Sequence, residues 1–324
     1  MKSILTRKTG AIFAMLFTSA MLINDASALT VYTAGPGSLA KKLAAGYEKQ
    51  TGVKVNMFQA TTGKVMARLE AEQASPQADV LISASWDTAE ELQQRGWLLP
   101  YQSANAAEVP DTLKTASYVA QGVSALGIVW NTKSGTPEPA EWRDLTLEPF
   151  KDKITTPDPS LSGASLDLLI GLQNGMGDEA WRLFEQLKQN GMVINGPNAQ
   201  ALTAVLQGAK AAVFGAVDYV SYGRIENGEA IKVIFPASGT VIAPRPMMIL
   251  KSTQHAADAK AFVDYVLSVE GQQRVAEAWL MPARADIEAK RPRLGDLKLL
   301  PTTSDGSSER SEVLHRYGKL FSQH

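Results

Sequence analysis

Residues 29–96 follow one pattern three times: a short β-rich run, a polar turn and an amphipathic helix. The β-rich runs are 29–33, 53–58 and 79–83. Successive strand–turn–helix units build a parallel sheet with helices packed on its faces. In such a sheet, ligands bind in the loops that follow the carboxyl ends of the strands. The pattern therefore predicts an α/β fold in which these three polar turns lie at one ligand-binding edge.

Two later β-like runs are long enough to pass from one domain to another. They are 117–131 and 231–250, and a second set of strand and helix patterns lies between them. A chain of 324 residues is also long enough for two packed domains. We therefore predict two α/β lobes joined by two crossing strands. Lobe 1 is expected to comprise residues 29–120 with 245–324, and lobe 2 residues 125–240.

The turn before one helix of the second lobe has the composition of an anion-binding site. Residues 157–166 read Pro-Asp-Pro-Ser-Leu-Ser-Gly-Ala-Ser-Leu, so Ser160 and Ser162 can cap the helix and Gly163 allows a close approach. The first N–H groups of a helix are unpaired and can hold a phosphate or a carboxylate. An ordinary capped helix is the alternative interpretation. The anion interpretation gains support because similar helix openings occur elsewhere in the chain.

Those openings follow the three strands of the first lobe, at Ser38, at Thr62 and at Ser85 with Trp86. The first of them matches the dinucleotide pattern G-x-G-x-x-A, but the second strand ends without the acidic residue that would hold a ribose. We therefore expect no nucleotide cofactor. Lys64 is interpreted either as a solvated lysine or as a cation in the cleft, and Trp86 either as the floor of a sugar site or as a packing residue.

Catalytic and metal-binding patterns are sparse. All three histidines lie in the last quarter of the sequence, away from the strand-end turns, so neither a metal set nor a Ser/His/Asp triad can be assembled. Asp158 and Asp218 could in principle act as acid and base. We interpret Asp218 instead as an acceptor for ligand hydroxyls or an amine, or as a helix cap. The expectation is a protein that is not an enzyme and has no cofactor and no bound metal.

The N-terminus has the features of an export signal. Residues 1–28 contain a basic start, an apolar stretch and a final Ala-Ser-Ala, which predicts a signal peptide cleaved after Ala28. The remaining chain has 29 basic and 32 acidic residues, because the signal removes three basic residues and one acid, so its net charge is −3. Such a charge does not favour nucleic acid as a partner. The absence of cysteine excludes disulfides and a lipid anchor on cysteine, so we expect a soluble periplasmic protein.

Several motifs together resemble the periplasmic solute-binding proteins of ABC importers. They are Leu-Thr-Val-Tyr-Thr at 29–33, Ser-Gly-Ala at 162–164, Gly-Ala-Val-Asp-Tyr at 215–219, Gly-Gln-Gln at 271–273 and Leu-Met-Pro-Ala-Arg at 280–284. The likeness covers residues 29 to 290 and is greatest for the branch that includes binders of ferric iron, phosphorylated sugars and phosphonates. It implies the type II fold, two α/β lobes on two crossing hinge strands, which close on the ligand.

The resemblance also helps to choose among ligands. The iron binders of this family hold the metal with two adjacent tyrosines, and here the pair is replaced by Asp218 and Tyr219. Their first loop often supplies a histidine, where this chain has Pro36. The anion-binding residues Ser162, Gly163 and Ala164 are retained. This combination is similar to the organophosphate-binding branch, with ferric-iron import as the alternative function.

The predicted partners are a small anionic solute, either a hexose phosphate or a phosphonate, and an inner-membrane ABC permease. The protein itself is expected to be a monomer. The predicted ligand-binding residues are those of the strand-end turns and helix starts: Ser38, Thr62, Ser85, Ser160, Ser162, Gly163, Ala164, Asn198, Asp218 and Tyr219. Whether Arg245 also reaches the anion is left open, because an arginine beside two prolines could equally face solvent.

Overall fold

The structure is a computed structural model that describes residues 28–300 and 307–322. The predicted signal peptide, apart from Ala28, lies outside the described residues. The strands of the described part are β1 Leu29–Thr33, β2 Val55–Gln59, β3 Val80–Ile82, β4 Leu98–Leu99, β5 Tyr118–Asn131, β6 Ile154–Thr156, β7 Val193–Ile194, β8 Ala212–Val217, β9 Ile231–Ile234, β10 Ile242–Leu250 and β11 Met281–Pro282.

The α-helices alternate with these strands. They are α1 Gly37–Thr51, α2 Thr62–Ala71, α3 Trp86–Gln94, α4 Gly163–Met176, α5 Asp178–Gln189, α6 Asn198–Leu206, α7 Asp218–Glu226, α8 Ala256–Val266, α9 Val269–Glu277 and α10 Ser307–Ser322. Within residues 28–300 and 307–322, every helix is too short or too polar to cross a lipid bilayer.

One path of hydrogen-bonded strands runs through the whole molecule in the order β2-β1-β3-β10-β5-β8-β6-β7. In the first half, β1 pairs in parallel with both β2 and β3, which confirms the parallel sheet predicted for residues 29–96. In the second half, β6 pairs in parallel with both β7 and β8. We call the half with β1–β3 lobe 1 and the half with β6–β8 lobe 2.

Two central strands, β5 and β10, belong to both halves. Strand β5 pairs with β10 and β11 through its first part and with β8 and β9 through its second part. Strand β10 pairs with β3 and β4 of lobe 1 and, on its other edge, with β5. The two crossing strands predicted from the runs 117–131 and 231–250 are therefore confirmed.

Apolar residues at helical spacing fix the helices onto each half-sheet. In lobe 1, Leu39, Leu43 and Tyr47 are buried on one face of α1, as their spacing of four predicts, and Gly52 ends the helix at a φ of 78°. In lobe 2, the apolar face of α5 carries Trp181 and is buried in the same way. Each lobe has its own hydrophobic core as a result.

The last helix departs from the prediction. Residues 245–324 were assigned to lobe 1, but α10 packs against α4, and its Val313 and Tyr317 are buried in the core of lobe 2. An edge-to-face contact between Tyr317 and Phe184, with ring centroids 5.5 Å apart, fixes the helix there. We therefore propose that α10 is part of lobe 2, while the other predicted lobe limits stay a prediction.

Candidate functional site

The two lobes meet where α2 and α4 begin. A Cβ atom on Gly163 would lie 2.8 Å from the Cβ of Ser85 and 3.2 Å from the hydroxyl oxygen of Thr62. A Cβ atom on Gly63 would lie 2.7 Å from the carbonyl oxygen of Ser160. Both approaches are too close for any residue but glycine. Helix starts that lie far apart in the sequence therefore come together at one junction, and their unpaired N–H groups lie nearby.

Ser162 is the N-cap of α4, and its hydroxyl has an unused proton. Its Oγ accepts the backbone N–H of Ser165 at 3.2 Å and the side-chain amide of Asn198 at 2.6 Å. A hydroxyl that accepts twice still has its own hydrogen to donate. If the Asn198 amide were turned over, its NH₂ group would be the free donor instead. In either orientation Ser162 and Asn198 together retain a hydrogen-bond donor at this junction.

Arg245 lies on β10 and is 2 % exposed. Its guanidinium donates to the carbonyl oxygen of Ala34 at 3.2 Å and to the hydroxyl of Tyr219 at 3.1 Å, while its Nε has no partner. No carboxylate of the described residues forms an ion pair with it. A buried charge normally has an opposite charge beside it, because leaving water is costly. Arg245 is a buried cation without a counter-ion in the described chain.

Further buried polar atoms lack a hydrogen-bond partner at the helix starts of the junction and on β5. The hydroxyls of Thr61 and Thr62, the side-chain oxygen of Gln121 and the amide oxygen of Asn198 are buried without a hydrogen-bond partner. The Gln121 oxygen lies close to Gly35, in the same turn as the carbonyl that Arg245 contacts. Buried polar groups are paired in the great majority of cases. A set of them along one interlobe junction is what a polar ligand would satisfy.

Asp218 begins α7 and lies against a second buried arginine. It is fully buried, and it accepts a hydrogen bond from the equally buried guanidinium of Arg291. Burial raises the pKa of the Asp218 carboxyl above its ordinary value, and the charge of Arg291 opposes that rise. One Asp218 oxygen is thus held by Arg291, whereas its Oδ1 is buried without a hydrogen-bond partner, and the interpretation of Asp218 as a ligand acceptor stays a prediction. The position of Asp218 at the first residue of α7 also fixes the start of the helix that carries Tyr219.

The remaining predicted site residues fall into two groups. Ser85 is fully buried and donates to Asp167 of lobe 2 at 2.8 Å, so its hydroxyl joins the lobes. The Ala164 side chain is buried in the core of lobe 2. In contrast, Ser38 is exposed on the first turn of α1, and the exposed Ser160 donates to Asp158 at 2.6 Å. The structure thus brings Thr62, Ser85, Ser162, Gly163 and Asn198 together. The side chains of Ser38 and Ser160 are exposed, although the Ser160 carbonyl lies at the same junction.

Metal ligands are not assembled at this junction. Among residues 28–300 and 307–322 there is no group of three His, Cys, Asp or Glu side chains that could hold an ion. Tyr222, one of the two nearby tyrosines, stacks on Trp279 with ring centroids 5.7 Å apart. Burial raises the pKa of Tyr222 to about 12, which disfavours the phenolate that a ferric ion would require.

Arg245 is the residue that sequence reasoning left undecided, and Gln121 is one that it missed. Both lie on the crossing strands, in long runs that are mostly apolar. An arginine within a strand that continues as Met247-Met248-Ile249-Leu250 was the available signal, because a buried strand rarely carries a charge without a purpose. The flanking prolines hid that signal by suggesting a turn at the surface. The solvated interpretation of Lys64 is favoured, since its side chain is exposed.

Similarity to known proteins agrees with this geometry. A family model described as "Bacterial extracellular solute-binding protein" matches residues 75–303. The chain is 27 % identical over 255 residues to the "Putative 2-aminoethylphosphonate-binding periplasmic protein" of Salmonella typhimurium, which covers 74 % of this chain and 73 % of the relative. It is 25 % identical over 255 residues to the "Probable ABC transporter periplasmic-binding protein y4fP" of Sinorhizobium fredii, covering 74 % and 69 %.

Two solved structures have a similar fold. The periplasmic binding protein AfuA of Actinobacillus pleuropneumoniae, solved with fructose-6-phosphate, superposes with a TM-score of 0.83 at 23 % identity over 92 % of this chain and 99 % of that one. Iron-bound HitA of Pseudomonas aeruginosa superposes with a TM-score of 0.80 at 22 % identity, over 90 % and 99 %.

These superpositions extend over nearly the whole chain, and they confirm the predicted two-lobed α/β fold of type II binding proteins. The family model covers more than half of the sequence and includes β5, β10 and the helix starts of lobe 2. Members of this family bind solutes and do not catalyse reactions. The chain belongs to the bacterial extracellular solute-binding proteins, and it is not an enzyme.

Proposed function

We propose that the protein captures a small organic phosphate or phosphonate between its lobes and delivers it to an inner-membrane ABC permease. Relatives named as periplasmic and as ABC transporter binding proteins support the export and the permease partner. The predicted signal peptide at residues 1–28 supports the same location. The protein acts there as a monomer, with no nucleic-acid partner.

The observation that carries this proposal is the buried, unpaired guanidinium of Arg245. Its Nε–H has no partner, and its other contacts are two neutral oxygens and the ring of Tyr219. An anionic ligand would supply the missing counter-charge and accept that hydrogen bond. Arginine suits this task because its planar fork matches the oxygens of a phosphate or phosphonate.

The helix starts at the same junction supply neutral donors for the anion. The first N–H groups of α2 and α4 are unpaired within their helices, and the donor shared by Ser162 and Asn198 lies at the α4 start. Each charge-assisted hydrogen bond to a phosphate contributes about 1.5–3 kcal/mol. Arg245 and these donors together can therefore hold an anion without a second charged side chain.

The uncharged part of the solute is expected to carry hydroxyls. Asp218, the acid that the sequence offered as a partner for an ammonium group, is sealed against Arg291. Gln121, Thr61 and Asn198 offer neutral acceptors instead. This arrangement supports hexose phosphates ahead of aminoalkylphosphonates. A similar fold holds fructose-6-phosphate, whereas a sequence relative is named for 2-aminoethylphosphonate, so both classes belong in the test.

Ferric-iron import is the second candidate, because the fold also resembles an iron-bound protein. Two features of the site oppose it. The first position of the family's tyrosine pair is occupied by Asp218, whose carboxylate is buried against Arg291, and a cation would face the positive charge of Arg245. A reddish tyrosinate band on titration with ferric ion would favour iron over the phosphate proposal.

The proposal is tested by a thermal-shift screen of hexose phosphates, aminoalkylphosphonates, inorganic phosphate and neutral sugars. A ligand that binds only the folded state raises the melting temperature. Phosphorylated solutes should raise it, and neutral sugars should not. In calorimetric titrations, Ser162→Ala should weaken binding of the best phosphate by about one to two decades, because one or two donors to the anion are lost.

Arg245→Met should lower that affinity by at least about two decades, since it removes the only buried cation proposed to face the anion. Arg143→Met is the matched control, because Arg143 is exposed on a turn of lobe 2. Equal shifts with neutral sugars and with their phosphates would contradict the proposal. So would full affinity in the Arg245→Met protein.

A further inference from the structure

A third arginine, Arg310 on α10, contacts both lobes. Its Nη1 donates to the carboxylate of Asp87 and, at 2.8 Å, to Oδ1 of Asp167. Asp87 lies in the first turn of α3 in lobe 1, and Asp167 lies on α4 in lobe 2. All three side chains are less than 20 % exposed. One guanidinium therefore pairs with a carboxylate from each side of the junction.

We propose that Arg310 is a positioning residue for ligand binding that fastens the two lobes in the closed arrangement, by which we mean the one in which the start of α4 lies against Ser85 and Thr62 of lobe 1. The helix that carries it is anchored in the core of lobe 2 through Val313 and Tyr317. Its N-terminal part reaches across to Asp87, so α10 acts as a strap from one lobe to the other. The Ser85 hydroxyl strengthens the same contact by donating to Asp167 at 2.8 Å.

The strap lies beside the ligand junction without being part of it. Asp87 and Asp167 line a cavity of about 560 Å³ together with Trp86, Glu90 and Pro244. Among the described residues, the lining of this cavity includes neither Arg245 nor Ser162. Ser85 connects the two places, because its Cβ touches Gly163 at the start of α4 while its hydroxyl holds Asp167.

Such a strap favours closure before any solute is bound. A protein that is closed for a larger fraction of the time binds its ligand more tightly, since less of the binding energy is used to close it. The inference rests on the proposed function only in that the solute binds between the lobes. It does not depend on the identity of the solute.

The test measures the distance between the lobes without ligand. The chain has no cysteine, so Gln94→Cys on α3 and Gln189→Cys on α5 can carry a unique pair of spin labels. Pulsed electron resonance should show a distance distribution dominated by the closed form. Arg310→Met should shift that distribution toward longer distances. Arg310→Lys should shift it less, because lysine keeps the positive charge but lacks the planar guanidinium.

Arg316→Met is the matched control on the same helix. Arg316 is exposed and stacks on Trp181 of lobe 2, 3.8 Å from the ring centroid, so its loss affects α10 without touching lobe 1. Asp87→Asn weakens only the contact of Arg310 with lobe 1. It replaces Arg310→Met in the test if that variant does not fold. Affinity for the best solute in the screen should fall about three- to tenfold in Arg310→Met and Asp87→Asn and stay unchanged in Arg316→Met.

An unchanged interlobe distance in both Arg310→Met and Asp87→Asn would overturn the proposal. Equal losses of affinity in Arg310→Met and Arg316→Met would also overturn it, since that result describes a helix that only stabilises lobe 2. The distance measurement needs no ligand. A failure of the strap is therefore distinguished from a failure of the phosphate proposal, which the solute screen alone decides.

Discussion

Two buried arginines lie on either side of the start of α7, and their surroundings differ. Arg291 pairs with the carboxylate of Asp218 and also donates to the carbonyl oxygen of Trp279 at 2.8 Å. Arg245 meets the next residue, Tyr219, and a backbone carbonyl, but no described carboxylate. Asp218 and Tyr219, two consecutive residues of α7, thus contact two guanidinium groups. Only the guanidinium of Arg291 is paired with a carboxylate.

The difference separates a structural charge from a binding charge. In a buried ion pair, the opposite charges offset part of the free energy spent on removing both of them from water. A buried cation without a partner leaves that cost uncompensated until an anion arrives. Arg291 therefore holds α7 in place, whereas Arg245 is available for the ligand proposed above.

The largest expected effect concerns the complete pair. Asp218→Asn should lower the free energy of unfolding by about 3–5 kcal/mol, because it leaves the charge of Arg291 buried and unpaired. Urea unfolding followed by circular dichroism measures the change. Glu229→Gln, at an exposed position just beyond α7, is the control and should change stability by less than about 0.5 kcal/mol. A loss below about 1 kcal/mol in Asp218→Asn would mean that the two arginines do not differ in this way.

The second effect has the opposite sign. Arg245→Met should raise the free energy of unfolding of the ligand-free protein by about 1 kcal/mol, since an apolar side chain of similar length replaces an uncompensated buried charge. The gain is small because the carbonyl of Ala34 and the hydroxyl of Tyr219 lose a donor. The same urea experiment provides the measurement. A stability loss as large as that of Asp218→Asn would make Arg245 a structural residue and remove the contrast.

The smallest effect concerns Arg310, which faces two carboxylates. Burial raises the pKa of Asp167 to about 6, with Arg310 opposing the rise and Asp87 adding to it. A folded-state pKa above the ordinary value of 3.8 means that the folded protein holds this proton more tightly. This carboxyl therefore favours folding below about pH 4, and its contribution is lost as the pH rises through about 6.

The measurement compares wild type with Asp167→Asn in urea between pH 4 and pH 7. On lowering the pH across that window, wild type should gain on the order of 1 kcal/mol relative to the variant, which has no proton to bind. Parallel stability curves for the two proteins would show that Arg310 fully offsets the burial of Asp167. In that case its two carboxylates would balance the charge of Arg310 as fully as Asp218 balances the charge of Arg291.

Local patterns explain why most of the fold could be predicted. The spacing of Leu39, Leu43 and Tyr47 determines the buried face of α1 whatever the rest of the chain does. Ser162 caps α4 through the N–H of Ser165, only three residues away. Strand β5 is recognisable because fourteen consecutive residues avoid helical periodicity. Each of these features depends on neighbours in the sequence.

The site was less predictable because its decisive contacts are long-range. Arg291 lies 73 residues from Asp218, and nothing near either position indicates the pair. Arg310 lies 223 residues from Asp87. For the same reason, the sequence does not distinguish Ser38 and Ser160, whose side chains are exposed, from the buried Ser162. The sequence identifies each residue. Which charges remain unpaired depends on contacts between segments that are distant in the sequence.

The shared strand β5 also bears on the order in which the chain can fold. The parallel strands of lobe 2 lie within residues 154–217, so the sheet of that lobe can assemble from a nearly continuous stretch, although its helix α10 joins it later. Lobe 1 cannot, because β3 pairs on one side with β10, which is reached only at residue 242. Contacts between such distant segments form slowly, since a long loop must close first. The half of the protein that comes first in the sequence is thus the half whose sheet must wait longest for its last strand.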